Sequence, residues 1–201
     1  MMVESCWGGP AGACGCASVL GGPPVLLAPG GHDVAVIASP LPWLDGYAGY
    51  HTSVLLAGQE FFFSPAGIQT SRGVTSHVLG EDVTCTAVGR STLTGFELLS
   101  VLSMYFLPGT YDLLTKNCNS FSDCALYVLC SQRLWPGFRT IERLGAFADS
   151  HTGILQIMTD GEYTPNPHAA GFDVEDVIAR IGSEKEASAR LRNLLGFEHL
   201  A

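Results

Sequence analysis

Lys116-Asn117-Cys118-Asn119-Ser120-Phe121-Ser122 sets a cysteine between two asparagines, just ahead of an apolar run. Asparagine caps helices well, because its side-chain oxygen accepts from N–H groups that the first turn leaves unpaired. A helix beginning at or just after Asn117 therefore holds Cys118 in its first turn. There the positive end of the helix dipole favours a thiolate, and nearby N–H groups can hold an oxyanion. That is the chemistry of a cysteine nucleophile. The alternative is an inert buried thiol, since cysteine is among the most buried residue types. Cys85, Cys124 and Cys130 take that second reading, as core thiols.

A cysteine nucleophile needs a base, most often histidine, and the chain has six. His32, His168 and His199 lie in the leader or the polar tail, His151 near the end of the main domain, and His77 in a Gly/Ser-flanked loop segment. His51 begins a strong strand, a rigid place from which to hold an imidazole. It is the first candidate, with a structural histidine as the alternative.

The elements that must position these residues follow from periodicity. Phe121, Cys124, Ala125, Val128 and Leu129 share one helical face. Tyr50–Leu56 and Glu60–Phe63 are β-rich runs around Ala57-Gly58-Gln59, a hairpin whose second strand ends at Ser64–Gly67. Asp33 opens a short buried strand, VAVIAS, closed by Pro40, and residues 82–88 alternate as another strand. Thr94, with Glu97 three residues on, predicts a capped helix with Phe96, Leu99 and Met104 on its apolar face, stopped by Pro108-Gly109. Tyr111–Leu114 is a short strand or an extended connector. A last amphipathic helix, Val174–Leu195, has the character of an appendage.

Here the sequence resembles the PPPDE family of permuted papain-fold peptidases, the desumoylating isopeptidases. The resemblance is carried by Tyr50-His51-Thr52-Ser53-Val54, Gln59-Glu60-Phe61-Phe62-Phe63, Gly67-Ile68, Tyr111-Asp112-Leu113-Leu114 and Asn117-Cys118-Asn119-Ser120-Phe121-Ser122. It implies an α+β fold, an antiparallel sheet packed against helices, with the nucleophile at a helix N-terminus. It also implies a dyad, His51 as base and Cys118 as nucleophile, with Asn117 and Asn119 at the helix start beside the oxyanion. The implied reaction is hydrolysis of the isopeptide bond between SUMO or ubiquitin and a target lysine, and pairing of family members implies a homodimer. Such modifiers end in a narrow Gly-Gly tail, and Trp43, Tyr50 and Trp135 are candidates for the groove walls. Asp45 and Asp112 are the acidic candidates for orienting His51. Two other functions compete: a permuted papain-like thioesterase or acyltransferase acting on lipid, and a non-catalytic binder of ubiquitin-like modifiers.

Bulk properties narrow the partners. The 201 residues carry a formal net charge of −9 with 10 Lys and Arg, which disfavours nucleic acid and anionic membranes. No apolar run reaches the ~18–20 residues of a membrane span, and Glu4 with interspersed Gly and Pro argues against a signal peptide. Seven cysteines without framework spacing suit a reducing compartment, cytosol or nucleus. Cys6, Cys14 and Cys16 fall short of a zinc motif, and neither metal nor cofactor is expected. The organisation read from the sequence is a Gly/Cys-rich flexible leader over 1–31, a peptidase domain over 32–148, and a C-terminal extension over 149–201.

Overall fold

Alternating apolar residues in short β-branched and aromatic runs build one antiparallel sheet. The computed structural model describes residues 30–41, 49–77, 82–139 and 163–195. Its strands are β1 (His32–Pro40), β2 (Tyr50–Leu56), β3 (Gln59–Ser64), β4 (Gly67–Arg72) and β5 (Thr84–Ser91). They lie in the order β4-β3-β2-β1-β5. The β2–β3 hairpin turns on Ala57 and Gly58, both with positive φ (51° and 79°), the two-residue geometry whose twist matches the flanking strands. Gly67, at φ +94°, starts β4 where a Cβ would lie 2.9 Å from the Pro108 ring. The chain can turn there only because glycine occupies the site.

Among the described residues, the α-helices are α1 (Gly95–Leu102), α2 (Cys118–Cys130) and α3 (Val174–Leu194). The Thr94/Glu97 capping box opens α1 as its sequence predicts, but the apolar face is set differently. Leu98 and Leu102 are buried, whereas Phe96 and Met104 are exposed. An eight-residue helix has few turns over which periodicity can average, and the tertiary contact chose the other stripe.

Helix α2 lies against the sheet and touches α1 and α3. Its predicted stripe is buried, but so are Asn119, Ser120, Ser122 and Asp123. Burying so many polar groups is tolerable only because each has a partner. Asp123, for example, accepts from Arg133, Arg139 and the backbone N–H of Leu134. Asp123 also ties in α3, because Arg133 reaches on to Glu175 at 2.6 Å.

The last helix is no appendage. Val174, Val177, Ile178 and Ile181 are buried in the same core cluster as Phe121, Leu126 and Val128 of α2. Lys185 donates from Nζ to the carbonyl of Tyr127, at 2.7 Å, placing a cation at the C-terminal end of α2 where the helix dipole favours one. The second half of α3 buries no residue, and Leu191 and Leu194 are exposed there. Of the other expected core thiols, Cys124 is buried and Cys130 half-buried, but Cys85 is exposed on β5. That strand forms a sheet edge whose outer face nothing in the described chain covers, so alternation does not imply burial there.

Candidate active site

Asn117 is the N-cap of α2, as its residue type implies. Its extended backbone lets Oδ1 accept from the N–H groups of Asn119 (2.9 Å) and Ser120 (3.0 Å). Ser120 Oγ in turn accepts from the Asn117 N–H at 2.8 Å, closing a reciprocal box. Asn117 Nδ2 donates to the Leu113 carbonyl, fixing the connector that leads in. Cys118 is therefore the first residue of the helix, and it is buried. Its thiol lies 3.8 Å from Asn119 Oδ1.

Tyr111 faces the same thiol. Burial first, and the neighbouring Cys118 second, push the phenol well above its ordinary range, and the tyrosine oxygen also meets the backbone N–H of Cys118. The N–H of Asn119 is thus spent on the cap, and that of Cys118, nearest the thiol, meets the Tyr111 oxygen. The side chain of Asn119 works elsewhere. Its Oδ1 accepts from Thr52 at 2.9 Å, and its Nδ2 donates to the carbonyl of Phe138 at 2.9 Å.

The Thr52–Asn119 bond joins the residues that follow His51 and Cys118 in sequence, so the start of β2 and the start of α2 are held together. The pleat of β2 separates their side chains. Thr52, Val54 and Leu56 face α2 and the core, which turns His51 and Ser53 to the other side. There His51 Nε2 bonds Ser76 Oγ at 2.8 Å. The imidazole lies 4.6 Å from the ring of His77 and 6.2 Å from Phe62. Burial, followed by His77, lowers the His51 pKa to about 4, while Glu60 partly opposes the shift.

Glu60 anchors this cluster. Its fully buried carboxylate accepts from Ser53, Ser71, Ser76 and Thr75, including the Thr75 N–H at 2.6 Å and the Ser76 N–H at 3.1 Å. Burial pushes its pKa up, but these donors together outweigh burial and hold it below the usual carboxylate value. His77 is buried between Ser39 (2.8 Å to Nδ1) and Ser53 (2.9 Å to Nε2). His77 does lie in a loop, as its flanking residues suggest, but its burial in this cluster, and the roles of Glu60 and Ser76, were not read from the sequence. The available signal was Glu60 itself, a lone acid in the apolar run Glu60-Phe61-Phe62-Phe63, on the opposite pleat from Phe61 and Phe63.

Asp112, one acidic candidate for orienting His51, is committed elsewhere. It accepts from the N–H groups of Leu114, Thr115 and Asn166 and from the Tyr163 hydroxyl, fastening the connector ahead of Cys118. The other, Asp45, lies outside the described residues, as do Trp43, His151, His199 and the leader cysteines. Tyr50 and Trp135 both pack edge-on against Phe138, at 5.1 and 5.4 Å, so an aromatic row runs past Asn119 with Trp135 exposed at its end. His32 and His168 are exposed and take no part in the site. Among the described residues, no group of three or more His, Cys, Asp or Glu side chains is placed to hold a metal ion, and no helix is long and apolar enough to cross a membrane.

A capped helix with cysteine as its first residue, set against an antiparallel sheet, agrees with a family-level match: the model of the PPPDE putative peptidase domain matches residues 31–163. The chain belongs to the PPPDE family. Membership supports a peptidase function, and the α+β architecture is consistent with the family's papain-like fold. The matched span runs past residue 148, the boundary drawn from sequence, to include Tyr163, which bonds Asp112. No curated protein matches the chain.

Proposed function

We propose that this PPPDE protein is a cysteine isopeptidase, cleaving the bond between the C-terminal glycine of a ubiquitin-like modifier, SUMO or ubiquitin, and a lysine of a target protein. The observation that carries the reading is Cys118 as the first residue of the Asn117-capped helix α2, tied through Thr52–Asn119 to the strand that begins beside His51.

On this reading His51 accepts the thiol proton as Cys118 Sγ attacks the glycine carbonyl carbon. The C=O electrons move to oxygen, where the Cys118 N–H and the Tyr111 hydroxyl are the nearby donors for the oxyanion. Collapse breaks the C–N bond, and His51 returns its proton to the departing lysine amine. Water, deprotonated by His51, then hydrolyses the thioester and releases the modifier's carboxylate and the thiol. Because the two side chains lie on opposite sides of β2, this cycle requires His51 to turn toward Cys118 around the first residues of the strand. The row Tyr50–Phe138–Trp135 is suited to wall a channel for a Gly-Gly tail, since flat aromatic faces admit a chain without side chains and reject wider ones. The partners are then modified proteins of a reducing compartment, cytosol or nucleus.

Ubiquitin and SUMO bearing an electrophile in place of the terminal carboxyl test the proposal. A covalent adduct on Cys118, lost in Cys118→Ala and strongly reduced in His51→Ala, is the expected result. Labelling of Cys118 by an acyl-chain thioester probe alone would transfer the assignment to acyl chemistry. Tight binding of either modifier without any adduct would make the protein a modifier-binding module.

A further inference from the structure

With both imidazoles neutral, the hydroxyls that link Glu60 to His51 and His77 leave one self-consistent placement of protons on the two rings. The carboxylate can only accept, so the hydroxyl of Ser76, 2.7 Å from Oε1, donates to it. Ser76 Oγ must then accept from His51, which fixes the His51 proton on Nε2 and leaves the lone pair on Nδ1. The same reasoning applies to His77. Ser53 donates to Glu60 Oε1 at 2.8 Å, so Ser53 Oγ accepts from His77 Nε2, and His77 Nδ1 accepts from Ser39. The two imidazoles, 4.6 Å apart, are thereby given different capacities. The lone pair of His77 is occupied by a buried serine, while that of His51 lies on the ring edge away from Ser76.

We infer that Glu60 and Ser76 form a positioning relay that sets the tautomer of His51 and stabilises the imidazolium formed when His51 takes a proton from Cys118. This rests on the reading of His51 as the base. Neither residue touches substrate. Glu60 acts through Ser76, and its buried negative charge lies one hydroxyl away from the ring that becomes positive. Among the described residues, the charged and titratable groups facing His51 are Glu60 of β3 and His77, with Ser76 in the loop after β4. A carboxylate reaching imidazole through a hydroxyl rather than directly keeps the histidine neutral at rest and still offers it a counter-charge in the transition state.

Two readouts on the full-length chain test this. Long-range 1H–15N NMR of the histidine rings reports the tautomer, and mass spectrometry reports the rate of Cys118 alkylation by iodoacetamide against pH. Wild type should show His51 as the Nε2–H form. Ser76→Ala should shift it toward a mixture and slow alkylation at neutral pH by about 10-fold or more, while Ser76→Thr, which keeps the hydroxyl, should restore both. Glu60→Gln should act in the same direction; because it perturbs a buried acceptor of several donors, Ser76 variants decide the matter if it does not fold. Unchanged tautomer in Ser76→Ala overturns the relay. Unchanged alkylation in Ser76→Ala, with His51→Ala unreactive, also overturns it while leaving His51 as base. Full reactivity in His51→Ala overturns the reading of His51 as base, and the relay's catalytic role with it.

Discussion

Thr52 Oγ1 donates to Asn119 Oδ1 at 2.9 Å and lies the same distance from Ser122 Oγ, all three side chains buried. One strand hydroxyl thus holds the first turn of α2 in place. Thr52→Val keeps the shape and removes the donor, stranding two buried polar groups. We expect a loss of about 1–3 kcal/mol in chemical denaturation, and slower alkylation of Cys118 per folded molecule. Stability equal to wild type would show that the bond does not hold the helix.

The cap gives a second expectation. Asn117→Ala removes acceptors for two N–H groups and the box with Ser120, a change worth about 1–2 kcal/mol. Asn117→Asp keeps the acceptor and adds charge at the helix N-terminus, so it should retain most of the stability. If Ala and Asp variants melt together, capping is not what the residue contributes.

Acid should destabilise the protein in two stages. His51 is held at about 4 in the fold against an ordinary 6.5, burial being the main cause. Between those values the unfolded chain binds a proton that the native state refuses, so stability falls as pH falls, by on the order of 3 kcal/mol in all. Glu60 lies below its ordinary value, so its contribution is present above about 4.5 and is lost as pH falls through the native pKa. Melting temperature measured from pH 7 to 3 should decline throughout, and His51→Gln should flatten the upper part. A rise in melting temperature between pH 6.5 and 4.5 would contradict the sign.

The Arg133 bridge separates a buried carboxylate from an exposed one. Asp123 is 1% exposed at its side chain and Glu175 61%. Removing the buried partner leaves the guanidiniums of Arg133 and Arg139 with the exposed Glu175 and strands the Leu134 N–H, so Asp123→Ala should cost about 3 kcal/mol. Glu175→Gln should cost less than about 1 kcal/mol. Equal losses in urea titration would refute the distinction.

Helix α3 should divide in the same way. Ile181→Ala opens a cavity against α2 and should cost about 2–4 kcal/mol, while Leu194→Ala, at an 84% exposed position, should stay within about 0.5 kcal/mol. A large loss from the second change would mean that the outer half is covered in solution.

What was legible in the sequence was what short-range physics dictates. The Ala57-Gly58 turn, the Thr94 box and the Asn117 cap each depend on residues within a few positions of one another. The helix after Cys118 was also legible, though not that its polar residues would be buried, because the partners of Asn119, Ser122 and Asp123 come from β2 and from residues 133–139. Glu60, Ser76 and His77 were not seen together, since β4 and the loop after it bring them into contact and strand β4, Gly67–Arg72, has no strong alternation. The amphipathic last helix was read as an appendage because the α2 residues that cover Val174, Val177, Ile178 and Ile181 are far away in sequence.

The β2–β3 hairpin carries both His51 and Glu60, with Ser53 and Glu60 only 7 residues apart, while the Thr52–Asn119 bond spans 67. Hairpins close in roughly 1–10 μs, whereas contacts across long loops wait for global topology. The half of the candidate site around His51 and Glu60 is therefore assembled largely by local chain chemistry, and Cys118 joins it last. On the proposed reading of His51 as base, a nascent or partly unfolded chain holds Cys118 apart from it, and nucleophilic reactivity would be switched on by completion of the fold itself.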